Sequence, residues 1–358
     1  MKTVLLLCGG RSGEHEISLI SAKCILDAMD RSRFAPVVVG ISKQGVWYLE
    51  EEESFYQGEF RADKISLNEN ADRVTLAPYL QPNGRARLEA QGRIIEFDIV
   101  FPILHGPFGE DGTLQGMLDM IGVPYVGSNC GSSWNCMDKV MTKAICQDAA
   151  IPSAPYLWVS SLEEAKSRED EIKKLGFPLF VKPSRMGSSV GVSKVTEEKA
   201  LQKAILDALA FDRKVLIEKG ITGREIECAV LGLNRDAKAS VPGEIVVSKK
   251  IGWYSYEAKY LLKDGAETLT PAPLDPKTTK AVQDLAVKVF QVMECDGLAR
   301  VDLFLESGTN QLYLNEVNTL PGFTPISMYP QMWQATGINY QNLISKLLDL
   351  AMERVNPH

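Results

Sequence analysis

The sequence predicts an α/β protein whose first part contains a mostly parallel sheet with helices on both faces. An apolar run at 3–8 ends at a pair of glycines and leads into a helical pattern at 17–29. Two more short apolar runs lie at 34–41 and 99–104. Short apolar runs that alternate with helical patterns are typical of βαβ units, which build parallel sheets.

The composition indicates a soluble protein with two or three domains. The chain has 358 residues, of which 45% are hydrophobic and 24% are charged, and a single core seldom grows to this length. The net charge is −7 and no basic block stands out, which argues against a nucleic-acid partner. No segment approaches the roughly 20 apolar residues that a membrane span needs, so we expect no membrane partner either.

The cysteines and the first ten residues favour a cytoplasmic location. The seven cysteines show no CxxC spacing, which is typical of buried free thiols in a reducing compartment. The opening MKTVLLLCGG has a short apolar stretch without a small-residue cleavage pattern. It therefore predicts a first buried strand rather than a signal peptide.

The rest of the chain divides into an insertion and two further blocks. Residues 48–96 are rich in charge and turns, and we interpret them as a loop-rich insertion in the first domain. A Gly/Pro-punctuated stretch at 122–133 precedes a predicted helix at 135–149. The predicted elements after it are strands at 179–182, 192–195, 215–218, 297–305 and 311–317, and helices at 197–209, 277–293 and 340–354.

A predicted hairpin near the carboxyl terminus carries the strongest site pattern. Side chains alternate between the faces of a strand, so Arg300 and Asp302 share one face, as do Glu316 and Asn318. A turn centred near Thr309 would set Asp302 opposite Glu316 and Arg300 opposite Asn318. Two carboxylates and an amide oxygen suit a hard cation bound mainly through phosphates. The alternative is a solvated hairpin with ordinary surface charges.

A second pattern is a lysine followed by a glycine- and serine-rich loop. The strand at 179–182 delivers Lys182 to the loop SRMGSSVG, which includes Ser188 and Ser189. Glycines allow close backbone approach, and amides and hydroxyls can bind phosphate oxygens. A flexible surface turn would look similar.

Three further groups have both a functional and a structural interpretation. Glu218 and Glu225 flank a glycine turn, where carboxylates can accept hydrogen bonds from adenine or ribose; a charged turn is the alternative. His105 follows a strand, a position suited to ligand contact, or is simply a hydrogen-bonded loop histidine. Glu16 lies near a helix N-terminus, where a carboxylate is favourable without any function.

Together these patterns resemble the D-alanine–D-alanine ligases of the ATP-grasp superfamily. The resemblance runs from GGRSGEHEISL near one end to NEVNTLPGFTPISMYP near the other. Between them lie LHGPFGEDGTLQG, CMDK, LFVKPSRMGSSVGVSKV, EKGITGREIECAV, YSYEAKY and ARVDLF. Residues 48–96 carry no motif of the family.

The resemblance implies three α/β domains: an amino-terminal parallel α/β domain at 1–127, and two α+β domains at 128–219 and 220–358 that clasp ATP. It also implies ATP and two Mg²⁺ ions, for which Mn²⁺ could substitute, and a homodimer formed through the first domain. The residues implied to bind ATP are Lys139, Lys182, Ser188, Ser189, Glu218, Lys219, Glu225 and Lys259. The implied metal ligands are Asp302, Glu316 and Asn318.

The resemblance further implies that the chain joins two D-alanine molecules through an acyl phosphate for peptidoglycan synthesis. Arg300 and the N–H of Gly322 would stabilise the oxyanion. Glu16, with His105 nearby, would bind the first D-alanine, and Ser327 and Met328 the second. The residues implied to act from a closing loop are Lys259 and Tyr260, the latter in a hydrogen-bonded triad with Glu16 and Ser188.

Several alternatives stay open at this point. Tyr260 favours D-alanine as the second substrate, whereas D-serine and D-lactate ligases of the same family are the alternative. Gly220 stands where relatives often have a large apolar residue against adenine. Another ATP-grasp ligase is disfavoured by GEHEIS and LHGPFGEDG. A nucleotide-binding regulatory protein without turnover is disfavoured by Arg300, since binding alone needs no oxyanion donor.

Overall fold

The computed structural model describes residues 1–52, 65–247 and 266–355. The strands of these ranges are β1 (Lys2–Gly9), β2 (Phe34–Ile41), β3 (Trp47–Glu50), β4 (Val74–Leu76), β5 (Ala86–Ala90), β6 (Arg93–Phe97), β7 (Ile99–Pro102), β8 (Tyr156–Val159), β9 (Leu179–Pro183), β10 (Ser193–Val195), β11 (Val215–Lys219), β12 (Gly223–Gly232), β13 (Lys238–Ala239), β14 (Gly243–Val247), β15 (Ala266–Leu269), β16 (Gly297–Glu306) and β17 (Leu312–Asn318). The α-helices there are α1 (His15–Ala28), α2 (Thr113–Ile121), α3 (Cys130–Met137), α4 (Lys139–Asp148), α5 (Leu162–Ser167), α6 (Glu169–Lys174), α7 (Leu201–Leu209), α8 (Pro276–Val292), α9 (Met328–Ala335) and α10 (Tyr340–Val355).

The predicted parallel sheet is confirmed in the amino-terminal region. Its strand order is β3-β2-β1-β7, in which β1 pairs in parallel with both β2 and β7 and only β3 is antiparallel. In β1 every residue from Val4 to Gly9 is buried. A strand buried on both faces reads as a continuous apolar run, which is why this strand was recognisable from sequence.

The interpretation of residues 48–96 as loop-rich is wrong for part of this region. Strands β4, β5 and β6 form an antiparallel sheet that packs beside the first one. In β5 the buried positions are Ala86, Leu88 and Ala90, and alanines give only a weak apolar alternation. The β5–β6 turn uses Gln91 and Gly92, both with positive φ, rather than the Asn-Gly pair that marks such hairpins.

A buried carboxyl in this region should make stability depend on pH. Glu50 is 4% exposed, and burial raises its pKa to about 7, against the opposing effect of the Asn68 N–H. Its stabilising contribution is full below the unfolded-state pKa of about 4.3 and is lost as the pH rises through 7. At pH 8.5 the free energy of unfolding of Glu50→Gln, measured by urea denaturation, should therefore exceed that of the wild type by roughly 1–2 kcal/mol after discounting for solvent screening. This gain in stability should vanish near pH 4. Equal gains at both pH values, or the same effect from the exposed Glu89→Gln control, would contradict this assignment.

The two remaining sheets are antiparallel. The central one has the order β10-β9-β11-β8, and the carboxy-terminal one has the order β15-β14-β12-β16-β17 with β13 paired to β12. The predicted hairpin is formed by β16 and β17.

The single helix predicted at 135–149 is two helices, α3 and α4, that meet at Asp138. The Asp138 backbone has φ −87° and ψ 100°, and its carboxylate accepts hydrogen bonds from the N–H groups of Val140 and Met141. A buried aspartate that caps a helix in this way starts a new helix where the apolar periodicity alone continues.

The hydrophobic cores do not follow the predicted domain limits one to one. One core joins β1 and α1 to β12, α9 and α10 of the carboxy-terminal region. A second joins α3 and α4 to α8 and the β16–β17 hairpin. A separate core lies wholly within 159–217. The division at 127 and 219 stays a prediction. No helix in the described ranges has the length and apolarity that crossing a membrane requires.

Candidate active site

A cavity of about 510 Å³ opens between the central and carboxy-terminal sheets. Its floor comes from β9 and β11 on one side and from β12, β14, β16 and β17 on the other. The predicted site residues that line it are Lys139, Lys182, Ser189, Glu218, Lys219, Glu225, Arg300, Asp302 and Glu316. Four separate stretches of sequence, at 139, 182–189, 218–225 and 300–316, therefore converge on one cavity.

The register predicted for the hairpin is confirmed. Asp302 lies opposite Glu316, and Arg300 lies opposite Asn318. The pairing then shifts by one residue, because Asn315 is an extra residue between the partners of Asp302 and Leu303. Such a bulge re-aims side chains, and as a result the consecutive residues Asn315 and Glu316 both line the cavity.

Arg300 is held by carboxylates on its own and the neighbouring strand. Its Nε and Nη2 each donate to Asp302, at 2.7 Å, and its Nε lies 3.2 Å from Glu227 Oε2. Burial alone would lower the pKa of Arg300, but Asp302 and Glu227 raise it well above its usual range. The guanidinium is thus a fixed, permanent cation at the cavity wall, which is the property required of an oxyanion stabiliser.

The predicted metal ligands form a compact set of oxygen donors. Asn318 donates to Asp302 Oδ2 at 2.9 Å, and Glu316 Oε2 is 3.2 Å from Lys139 Nζ. The described part of the chain holds no cluster of three or more His, Cys, Asp or Glu side chains that could bind a metal by themselves. Two carboxylates with an amide fit Mg²⁺ well, because that ion usually takes its other ligands from phosphates and water.

The buried carboxylate of Glu218 lies between two lysines. Its Oε1 is 2.5 Å from Lys182 Nζ and its Oε2 is 2.8 Å from Lys143 Nζ. Burial raises the pKa of Glu218, but the two ammonium groups lower it to about 2. Lys182 also donates to Asn315 Oδ1 at 3.4 Å. The strand β9 thus brings a charged ammonium to the cavity beside the β16–β17 hairpin.

Lys139 and the glycine-serine loop are tied together. Lys139 begins α4, and its N–H and Nζ donate to the carbonyls of Ser184 and Met186, at 3.0 and 2.9 Å. Ser188 and Ser189 both have positive φ, an uncommon backbone state for residues other than glycine. Of these two serines only Ser189 lines the cavity.

His105 and Glu110, from one loop, bind the carbonyl and the N–H of the same residue, Leu320. His105 is 4% exposed; its Nδ1 lies 3.0 Å from the Leu320 carbonyl and its Nε2 lies 3.4 Å from Ser21 Oγ. A carbonyl only accepts, so Nδ1 carries the proton and Nε2 accepts from Ser21. Burial lowers the His105 pKa, which keeps the ring neutral. Glu110 accepts from the N–H groups of Leu320, at 3.2 Å, and Gly106, at 2.6 Å.

The other predicted substrate groups make contacts of their own. Glu16 forms an ion pair of 2.6 Å with Lys43. Gly322 lies close to Ser327, since a β-carbon built on it would be 3.2 Å from Ser327 Oγ. Met328 is 6% exposed, and its sulfur accepts from Thr270 at 3.6 Å. Lys259 and Tyr260 lie outside the described residues.

Sequence reasoning missed four groups at the site: Lys143, Glu110, Glu227 and Asn315. Two of them had a signal. Lys143 lies four residues after Lys139 on α4, one helical turn away, and Glu227 lies two residues after Glu225 on the same face of β12. Glu110 lies in the motif LHGPFGEDGTLQG, but no role was predicted for it. Asn315 had no signal, because the bulge that turns it inward arises only on pairing.

Comparison with known proteins gives matches over almost the whole chain. A family model described as the D-ala D-ala ligase N-terminus matches residues 3–128, and one described as the D-ala D-ala ligase C-terminus matches residues 145–349. The chain is 45% identical to the D-alanine–D-alanine ligase of Shouchella clausii, over 99% of this chain and 95% of that protein. It is 44% identical to D-alanine–D-alanine ligase A of Escherichia coli K12, over 98% and 95%.

Two solved structures have the same fold. The D-alanine–D-alanine ligase from Coxiella burnetii superposes with a TM-score of 0.84 at 36% identity, covering 99% of this chain and 95% of that one. The VanG D-Ala:D-Ser ligase from Enterococcus faecalis superposes with a TM-score of 0.85 at 33% identity, covering 98% and 99%. The mixed α/β ATP-grasp fold expected from the sequence is thereby confirmed.

Proposed function

Because the chain belongs to the D-alanine–D-alanine ligase family, we propose that it joins two D-alanine molecules to D-alanyl-D-alanine while ATP becomes ADP and phosphate. The observation that carries this proposal is the convergence on one cavity of Lys139 and Lys182 with Arg300, Asp302 and Glu316. Cations for phosphates, carboxylates for a divalent ion and a fixed guanidinium are the groups that acyl-phosphate chemistry needs.

In this proposal the nucleotide occupies the cavity between the two sheets. Lys139 and Lys182 contact its phosphates, together with Ser188 and Ser189 of the loop. The residues assigned to the adenosine part are Glu218 and Lys219 beside adenine and Glu225 on the ribose. Asp302, Glu316 and Asn318 hold two Mg²⁺ ions, or Mn²⁺ in their place. These ions neutralise phosphate oxygens and favour phosphoryl transfer.

The reaction then has two steps. The carboxylate of the first D-alanine attacks the γ-phosphorus of ATP, the bond to the β–γ bridging oxygen breaks, and ADP leaves. The amine of the second D-alanine attacks the resulting acyl phosphate and loses a proton, and phosphate departs from the tetrahedral intermediate. Arg300 and the Gly322 N–H stabilise its oxyanion.

The substrates are held by groups from the first and third predicted domains, 1–127 and 220–358. Glu16 binds the ammonium of the first D-alanine, with His105 nearby, and Ser327 and Met328 hold the second, Ser327 on its carboxylate. Lys259 reaches the phosphate and Tyr260 joins Glu16 and Ser188 from a loop that excludes water, because an acyl phosphate would otherwise hydrolyse.

The proposal extends to the setting of the enzyme. We infer units at 1–127, 128–219 and 220–358, a homodimer formed through the first unit, and a cytoplasmic role in supplying peptidoglycan precursors. Analytical ultracentrifugation tests the dimer.

A D-alanine–D-serine ligase is the second candidate, supported by the likeness to the VanG enzyme at 33% identity. Tyr260 favours D-alanine as the acceptor, because the resemblance links another residue at this position to the D-lactate ligases. Both candidate functions would use the same described residues of the cavity, and they differ only in the acceptor.

The deciding experiment measures Mg²⁺-dependent ADP release with D-alanine alone, then with added D-serine or D-lactate, and identifies products by mass. Turnover with D-alanine alone that yields its dipeptide is the expected result. Turnover only when the second compound is added would replace the proposal with a mixed-product ligase. No turnover in any mixture would refute the ligase assignment.

A further inference from the structure

Lys143 is a buried ammonium that the proposed reaction does not use. It lies on α4, is 1% exposed, and forms an ion pair of 2.8 Å with Glu218 Oε2. Its Nζ also lies 5.4 Å from the centre of the Tyr156 ring. Lys143 does not line the cavity, whereas Glu218 and Lys182 do. A buried lysine is costly unless paired, and among the described residues the ionic partner of Lys143 is the Glu218 carboxylate.

The Glu218 carboxylate connects Lys143 electrostatically to the cavity. The other oxygen of its carboxylate is 2.5 Å from Lys182 Nζ, and Lys182 does line the cavity. Two cations around one anion leave a net charge of +1. Without Lys143 the remaining pair would be neutral, and the whole carboxylate charge would act on Lys182.

We propose that Lys143 is a positioning residue that neutralises Glu218 and thereby leaves the Lys182 ammonium available to bind nucleotide phosphate. The inference rests on the proposed function, because it takes phosphate as the ligand of Lys182. Lys139, one turn earlier on α4, faces the cavity directly, so this helix supplies one ammonium to the ligand and a second one behind it.

The test compares the affinity for ATP with that for adenosine in Lys143→Met, a replacement of similar volume. If Lys182 loses its hydrogen bond to a charged phosphate, ATP binding should be at least about tenfold weaker. Adenosine carries no phosphate, so its affinity should fall much less than that of ATP, even though Glu218 is assigned beside adenine. Lys143→Arg keeps the charge and should bind ATP within about threefold of the wild type. Lys203→Met removes an exposed lysine of α7 and serves as the control.

The decisive variant is Lys143→Met combined with Glu218→Gln. With the carboxylate neutral, Lys143 has no charge to balance, so its loss should change ATP affinity by less than about threefold relative to Glu218→Gln alone. An equal cost in both backgrounds, or equal weakening of ATP and adenosine, would overturn the inference. If Lys143→Met does not fold, Lys143→Gln makes the same comparison.

The two proposals fail in different ways. Wild-type protein that binds ATP but does not join D-alanine refutes the ligase function and leaves the role of Lys143 standing. Wild-type protein that binds no ATP refutes both.

Discussion

Replacing Arg300 by methionine should lower kcat for dipeptide formation by about 10² to 10³, the usual effect of losing one oxyanion donor. The KM for ATP should change far less, because in the proposed mechanism Arg300 acts on the reacting carbonyl and not on the nucleotide. Steady-state kinetics with D-alanine and ATP measures both quantities. Arg300→Lys keeps the charge but not the paired contacts with Asp302, so its kcat should lie between that of the wild type and that of Arg300→Met.

A structural contribution of Arg300 has to be separated from the catalytic one. Its removal leaves Asp302 and Glu227 without their cation, and breaking a buried pair costs roughly 3–5 kcal/mol of stability. Arg85→Met is the matched control, since Arg85 is also held by two carboxylates, Glu96 and Asp98, in the amino-terminal region. If folded Arg300→Met turned over like this control, the oxyanion role would be wrong.

Replacing Glu316 by glutamine should raise the Mg²⁺ concentration needed for half-maximal activity by at least about 10- to 100-fold, the range seen when even an outer partner of a metal ligand is lost. The substitution keeps the size of the side chain and removes its charge. Initial ADP-release rates over a Mg²⁺ titration, at saturating ATP and D-alanine, give the value directly.

The matched control for this titration is Glu306→Gln. Glu306 ends β16 on the same hairpin, is partly exposed, and accepts a hydrogen bond from Thr309 at 2.6 Å. Its Mg²⁺ titration should coincide with that of the wild type. An unchanged titration for Glu316→Gln would remove Glu316 from the metal site and leave Asp302 as its sole carboxylate.

The hairpin shows what the sequence can predict and where prediction stops. The alternation of faces and the turn centred near Thr309 were enough to pair Asp302 with Glu316. The bulge at Asn315 was not predictable, because it depends on how the paired strands meet, and no glycine marks it. The sheet at 74–97 was missed for a related reason. The alanines at buried positions of β5 give only a weak apolar alternation, so this segment looked like a polar insertion.

The charge network behind the cavity lay beyond sequence reasoning for a different reason. Glu218 was expected beside adenine, but the ion pairs of its carboxylate with Lys143 and Lys182 were not expected. Those residues lie on a helix and two strands that meet only in the folded molecule. Two lysines four residues apart on a helix are common. Only the burial of Lys143 and its pairing with Glu218 distinguish it from an ordinary surface lysine, and neither is visible in the sequence.

The core shared by β1 and α10 has a consequence for how the chain folds during synthesis. Val4 and Leu6 pack in the same cluster as Leu343 and Leu347, residues that leave the ribosome more than three hundred positions later. Helix α1 covers part of this apolar face early, but the rest stays uncovered until α10 has emerged. A nascent chain therefore keeps an aggregation-prone surface exposed through nearly the whole of translation, whereas the core within 159–217 can close early.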